Sequence, residues 1–115
     1  GVALLTAMLG EAIPTSEVRR VETAVWLAFA MSAATNADHA RLYRDFDREW
    51  EDALTSVVSD LVPPGGTEAS DVARLLMATT DGIALRALAG RDLPATEQRR
   101  LLAVAIAALL RPGTP

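Results

Sequence analysis

Apolar residues in this chain return every third or fourth position, in five stretches separated by short runs of proline, glycine, asparagine and aspartate. That period belongs to one face of an α-helix, and nowhere does it shorten to the alternation of a half-buried strand. Composition agrees with the pattern. The 115 residues include 22 alanines and 16 leucines, the best intrinsic helix formers. Runs of Val, Ile, Thr and aromatics, which mark strands, are almost absent. The chain is expected to be all-α, an antiparallel helical bundle of about five helices in one domain.

The first stretch covers residues 2–12. Pro14-Thr15-Ser16 breaks it, and Thr15 or Ser16 caps a second helix over 16–36. There Val18, Val21 and Val25 form one stripe, and 24–34 is apolar all round, which predicts burial on several sides. Asn36-Ala37-Asp38 is a corner. A third helix, 39–61, repeats Tyr43, Phe46, Trp50, Ala53, Val57 and Leu61 at i+3/i+4 spacing, its expected inner face. Pro63-Pro64-Gly65-Gly66 stops it. Thr67 or Ser70 caps a fourth helix, 68–89, and Gly90 ends it. Pro94 falls near the first turn of the fifth, 95–110. Residues 111–115 form a tail expected to fray.

The last two helices carry a surplus of apolar surface. On the fourth, Val72, Leu76, Ile83 and Ala87 form one stripe, and Leu75, Ala78, Leu85 and Leu88 a second. On the fifth, Leu101, Leu102, Ala105, Ile106 and Leu109 line one face, with Val104 and Ala108 adding another. A helix apolar on two stripes needs two partners. Gly82, mid-helix, costs on the order of 1 kcal/mol against alanine, which suggests close packing there. The simplest outcome is a homodimer in which both helices pair with their copies in a four-helix interface. The expected interface positions are Leu76, Ile83 and Ala87 with Leu101, Leu102, Ala105, Ile106 and Leu109. The alternative is that both stripes complete the core of a monomer.

Several function classes fall away. Net charge is −4, so the chain by itself is a poor ligand for nucleic acid or an anionic membrane. The apolar runs 24–34 and 101–110 are far short of the roughly 20 residues of a membrane span. There is no cysteine, and hence no disulfide or thiolate chemistry. No phosphate-binding glycine loop is present, and a lone His39 beside Asp38 makes no metal site. It reads as an exposed corner residue. Asp45, Asp47, Glu49, Glu51 and Asp52 alternate with Arg44 and Arg48, as solvated intrahelical pairs do. No enzyme, no metal and no cofactor are expected.

Two features point instead to a binding site. All five aromatics (Trp26, Phe29, Tyr43, Phe46 and Trp50) lie within 25 consecutive residues on two successive helices. They can converge as an ordinary core or line an apolar cavity with Met8, Met31 and Met77. Asp81 interrupts an otherwise apolar helix beside Thr79 and Thr80. A carboxylate there pairs with an arginine, caps a helix or points into a polar-tipped pocket. The two threonines can equally bond back to their own helix.

Thr80-Asp81-Gly82-Ile83-Ala84-Leu85-Arg86-Ala87 resembles the "IDGLWLRA" segment in the C-terminal domain of TetR-family transcriptional regulators, in particular the BetI-like branch. Val25-Trp26-Leu27-Ala28-Phe29, then Leu42-Tyr43-Arg44 and Trp50, is similar to that branch's "VWLAF…LYR…W" pattern, as is Leu93-Pro94-Ala95 before the final helix. The likeness spans about residues 10–110. Ala84 stands where the pattern often has a bulky aromatic, which implies local repacking and speaks against a choline-type ligand.

The resemblance implies an effector-binding and dimerisation domain over 13–110. Residues 2–12 become the end of a helix connecting to an N-terminal DNA-binding domain, and the opening Gly-Val-Ala-Leu-Leu suggests that something precedes residue 1. It further implies a cytoplasmic repressor whose DNA contacts lie outside this chain. A small hydrophobic effector is held by Trp26, Phe29, Tyr43, Phe46, Trp50 and Met77, with Thr80 or Asp81 supplying polarity. A stand-alone helical interaction module without ligand is the competing reading.

Overall fold

A computed structural model describes residues 1–112. Within them are five helices and no strand: α1 (Val2–Gly10), α2 (Glu17–Ser32), α3 (Ala37–Ser59), α4 (Ala69–Leu88) and α5 (Ala95–Leu109). The expected frayed tail lies outside the described residues from 113 onward.

Local chemistry sets the boundaries. The Ser16 side chain accepts from the Arg19 backbone N–H at 3.2 Å and caps α2. Asn36 Oδ1 accepts from the N–H groups of Asp38 and His39 at 3.0 and 3.1 Å, which starts α3 at Ala37 and ends α2 sooner than its apolar run suggests. Such a cap satisfies donors that the first helical turn leaves unpaired. The fourth helix has no side-chain cap from Thr67 or Ser70. Gly90, at φ 94°, takes the left-handed conformation that ends α4 without strain on a Cβ.

α4 is the central element and packs most extensively against α3. The two run antiparallel, tied by Arg74 Nε donating to Glu51 Oε1 at 2.9 Å. The core is contributed by α1 (Leu5, Leu9), α3 (Leu54, Val58), α4 (Val72, Ala73, Leu76) and α5 (Leu102, Ile106). Ala84 is also buried. Gln98 is buried at the start of α5. Its Nε2 donates to the carbonyls of Leu93 (2.9 Å) and Pro14 (3.3 Å), fastening the α1–α2 turn to α5.

The molecule measures 44 × 33 × 21 Å. Its short dimension is roughly two helix diameters, and this overturns one expectation. In so thin a slab α2 has one covered side only. Thr23 is its one buried residue, while Val18, Val21 and Val25 are 68%, 60% and 65% exposed and Met31 is 73% exposed.

The register of α3 also differs from its aromatic stripe. Leu54 and Val58 are buried, whereas Ala53 and Phe46 are exposed. The ridge laid against α4 runs Asp47, Glu51, Leu54, Val58. Two of the acids read as solvated therefore face inward, where Glu51 meets Arg74.

Both stripes of α4 and α5 are present. Leu76, Leu102 and Ile106 are buried inside the chain, and Ile83 and Ala87 keep 6% of their surface, Ile83 beside Gly82 and Leu101 in a surface groove. Leu101, Ala105 and Leu109 are half-buried against the same core. What faces outward is Leu75, Ala78, Gly82 and Leu85 on α4 and Ala103, Val104, Ala107 and Ala108 on α5. A Cβ at Gly82 meets only the far end of the Arg86 side chain, at 3.4 Å, so no packing within the chain demands this glycine.

Candidate functional site

Packing α2 across the α3–α4 pair leaves a cavity of about 270 Å³. The walls are Thr23 and Trp26 from α2, Phe46, Asp47 and Trp50 from α3, and Met77, Thr80 and Asp81 from α4. Glu11 and Ala12, in the turn after α1, and Glu22 complete the rim. A second, shallower groove of about 450 Å³ adjoins it on the outer side of α2. It shares Glu22, Trp26 and Phe46 and extends over Val21, Val25 and Phe29.

Six of the eight residues expected to contact an effector meet at this cavity: Trp26, Phe46, Trp50, Met77, Thr80 and Asp81. Phe29 lies in the adjoining groove. Tyr43 lines neither, and acts through its neighbours. Trp26 stacks on Tyr43 with centroids 5.3 Å apart and on Phe29 at 6.0 Å, and meets Phe46 edge-on at 6.5 Å. Trp26 is thus the shared wall of cavity and groove. His39 is exposed, stacked on Phe29 and bonded through Nδ1 to Ser32 Oγ at 2.8 Å.

Sequence reasoning missed Asp47, Glu22, Glu11 and Thr23 as lining residues. The i, i+4 spacing of Asp47 and Glu51, continuing to Leu54 and Val58, was the available signal for Asp47. A continuous ridge that ends in buried leucine and valine cannot have its first members on the opposite face.

The two wall hydroxyls are committed as donors. Thr80 Oγ1 donates its proton to the Met77 carbonyl at 2.9 Å, and Thr23 Oγ1 to the Arg19 carbonyl at 2.5 Å. Both hydroxyls therefore keep only acceptor capacity. Asp81 retains exposed surface, yet enough protein surrounds its carboxyl for burial to push its pKa above the ordinary value, and the charge of Asp47 adds to the shift. Burial likewise raises Asp47. The neighbouring Tyr43 hydroxyl pulls in the opposite sense, and Glu51 adds to the rise. Tyr43 is itself held above its usual pKa by burial and by the charges of Asp47 and Asp81. Among the described residues neither Asp47 nor Asp81 has a basic partner.

Comparison with known proteins decides the family. Residues 2–111 match the model of the C-terminal domain of BetI-type transcriptional repressors. The chain belongs to this branch of the TetR family. No curated protein sequence matches it. Among solved structures, this BetI-type domain is similar to a transcriptional regulator from Rhodococcus sp. Rha1, at 33% identity and a TM-score of 0.84. The match covers 92% of this chain and 66% of that one. The BetI-type domain thus spans about two-thirds of that regulator's length.

Proposed function

We propose that this is the effector-binding and dimerisation domain of a TetR-type repressor, working in the cytoplasm and without catalytic activity. A small, largely apolar effector occupies the cavity between α2, α3 and α4. Two copies pair through the outward faces of α4 and α5, and DNA is reached through a separate N-terminal domain. The observation that carries the reading is the position of α4. One flank supplies Met77, Thr80 and Asp81 to the cavity, and the neighbouring flank turns Leu75, Ala78, Gly82 and Leu85 outward, away from the core residues Val72, Leu76 and Ile83.

The mechanism is a population shift. An effector favours one placement of α4 by its differential affinity for the two states, typically about 1–3 kcal/mol of coupling. α1 packs on α3, α4 and α5 through Leu5 and Leu9. As the end of the connecting helix, it carries that displacement toward the DNA-binding heads.

Sedimentation velocity tests the pairing. A dimer is expected at micromolar concentration, and Leu85→Glu gives a monomer with unchanged helical circular dichroism. A wild-type monomer at tens of micromolar, about 10⁻⁵ M, refutes the paired arrangement.

A further inference from the structure

Resting on the paired arrangement proposed above, we infer that a second copy of this chain lies antiparallel along α4, with its Leu75 seated over Gly82 and its Asp71 paired with Arg86. A two-fold axis repeats each contact.

The surface that receives the copy is a groove of about 500 Å³ between the second half of α4 and the start of α5. Thr79, Gly82, Ile83 and Arg86 form its corners on α4. Their i, i+3, i+4, i+7 spacing is that of a hole which accepts one side chain from a facing helix. Leu93 and Leu101 close the α5 side. The Thr79 hydroxyl spends its proton on the Leu75 carbonyl at 2.8 Å, and no carboxylate lines the groove. The hole therefore suits an apolar side chain, and the missing Cβ of Gly82 gives it depth.

The sequence of α4 supplies the matching half. Asp71, Leu75, Ala78, Gly82 and Arg86 follow at i+3/i+4 spacing on one surface stripe. A two-fold axis crossing α4 between Ala78 and Thr79 sets residues equally far from it opposite one another. Leu75 then falls on Gly82, and Asp71 on Arg86. Other arrangements lose this match. With the copies parallel, Asp71 meets Asp71 and Arg86 meets Arg86. Moving the axis so that Leu85 falls on Gly82 carries Asp71 beyond the end of the facing helix. It also sets Arg86 opposite Asp81, whose side chain lines the cavity.

Both charges are available. Among the described residues Arg86 is in no ion pair. Its Nη1 donates to the Gly82 carbonyl at 3.2 Å, so the side chain lies folded over the glycine. Asp71 meets only Arg74 Nη1, at 3.9 Å, and Arg74 is itself held by Glu51. The arriving Asp71 draws the guanidinium aside, and the bared glycine takes Leu75. Glu68 precedes Asp71, and Arg91 lies at the groove beyond Arg86, so the antiparallel sense brings acid toward base along the whole stripe.

The test exchanges the charges and reads the dimer by sedimentation velocity. Asp71→Arg and Arg86→Glu are each expected to weaken it at least about tenfold, because each homodimer now sets like charges together. An equimolar mixture of the two variants regains the dimer, since every contact between unlike chains is again acid on base. The chain carrying both replacements regains it as well. Gly82→Leu fills the hole and gives a monomer with unchanged helical circular dichroism, as a Cβ there meets only the end of Arg86. Wild-type affinity in both charge variants overturns the register and leaves the pairing of α4 and α5 standing. So does a loss that neither mixing nor the double replacement repairs. A Gly82→Leu dimer of wild-type affinity overturns the seat of Leu75. A wild-type chain that stays monomeric removes the register and the pairing together.

Discussion

Replacing Leu76 by alanine tests which apolar stripe of α4 belongs to the chain's own core. Leu76 is 0% exposed and packs with α1, α3 and α5 in one cluster. Truncating a buried leucine loses its transfer free energy and leaves a cavity, together about 2–5 kcal/mol. A domain of this size has about 6–15 kcal/mol in total, and each kilocalorie moves Tm by roughly 3–6 °C. Leu76→Ala should therefore lower Tm by about 6–30 °C, equally at every protein concentration. Leu75, one residue away, is 49% exposed. Leu75→Ala should change the stability of the single chain by less than about 0.5 kcal/mol and show itself only in the concentration dependence of unfolding. Urea denaturation followed by tryptophan fluorescence, at two concentrations a hundredfold apart (about 2.7 kcal/mol of mass action), separates the two. A mild Leu76→Ala together with a severe, concentration-independent Leu75→Ala refutes the orientation of α4 and everything built on it.

Three further outcomes are expected. Asn36→Ala removes the cap of α3 and should cost about 0.5–2 kcal/mol, read as a lower Tm. Gln98→Ala leaves the carbonyls of Pro14 and Leu93 without their donor and should cost about 1–3 kcal/mol, with faster amide exchange in the α1–α2 turn. The raised carboxyls give a pH signature in the ligand-free protein. A carboxyl raised on folding stabilises fully below its unfolded pKa, about 4, and that contribution is lost as pH climbs through the folded value. Asp81→Asn should thus match the wild type in urea midpoint near the unfolded pKa and exceed it increasingly toward neutrality. A wild type that keeps pace with the variant at all pH values contradicts the direction of the shift.

The helices were legible because their periods and caps are local. Ser16, Asn36 and Gly90 mark their places through bonds to near neighbours or a single φ angle. Which side of each helix faces inward was less legible, since that depends on what packs across it. The aromatic stripe of α3 reads as the inner face, yet Phe46 is 54% exposed and Asp47 lies on the ridge against α4. The apolar run of α2 reads as deeply buried, but a slab 21 Å thick has no third layer to cover it. On α4 and α5 both stripes were visible, but which one turns inward was not: Leu75 and Leu76 are the same residue type, and only the helices packed across α4 leave one 49% exposed and the other buried. The convergence of the aromatics was open to reading from their crowding alone. The bonding of the two wall hydroxyls was not, because it depends on where two threonine protons go.

The placement of α4 has a further consequence for inheritance and design. On the proposed reading, one rod about 10 Å across gives one flank to the guest chamber and the neighbouring flank to a twin. Any substitution that re-tunes the chamber by tilting this rod also re-tunes the fit between copies. A lineage that changes its chemical signal through Met77 or Thr80 must therefore adjust Ala78 or Gly82 with it. One that changes the signal through Trp26 or Trp50, on the far walls, is free of that constraint.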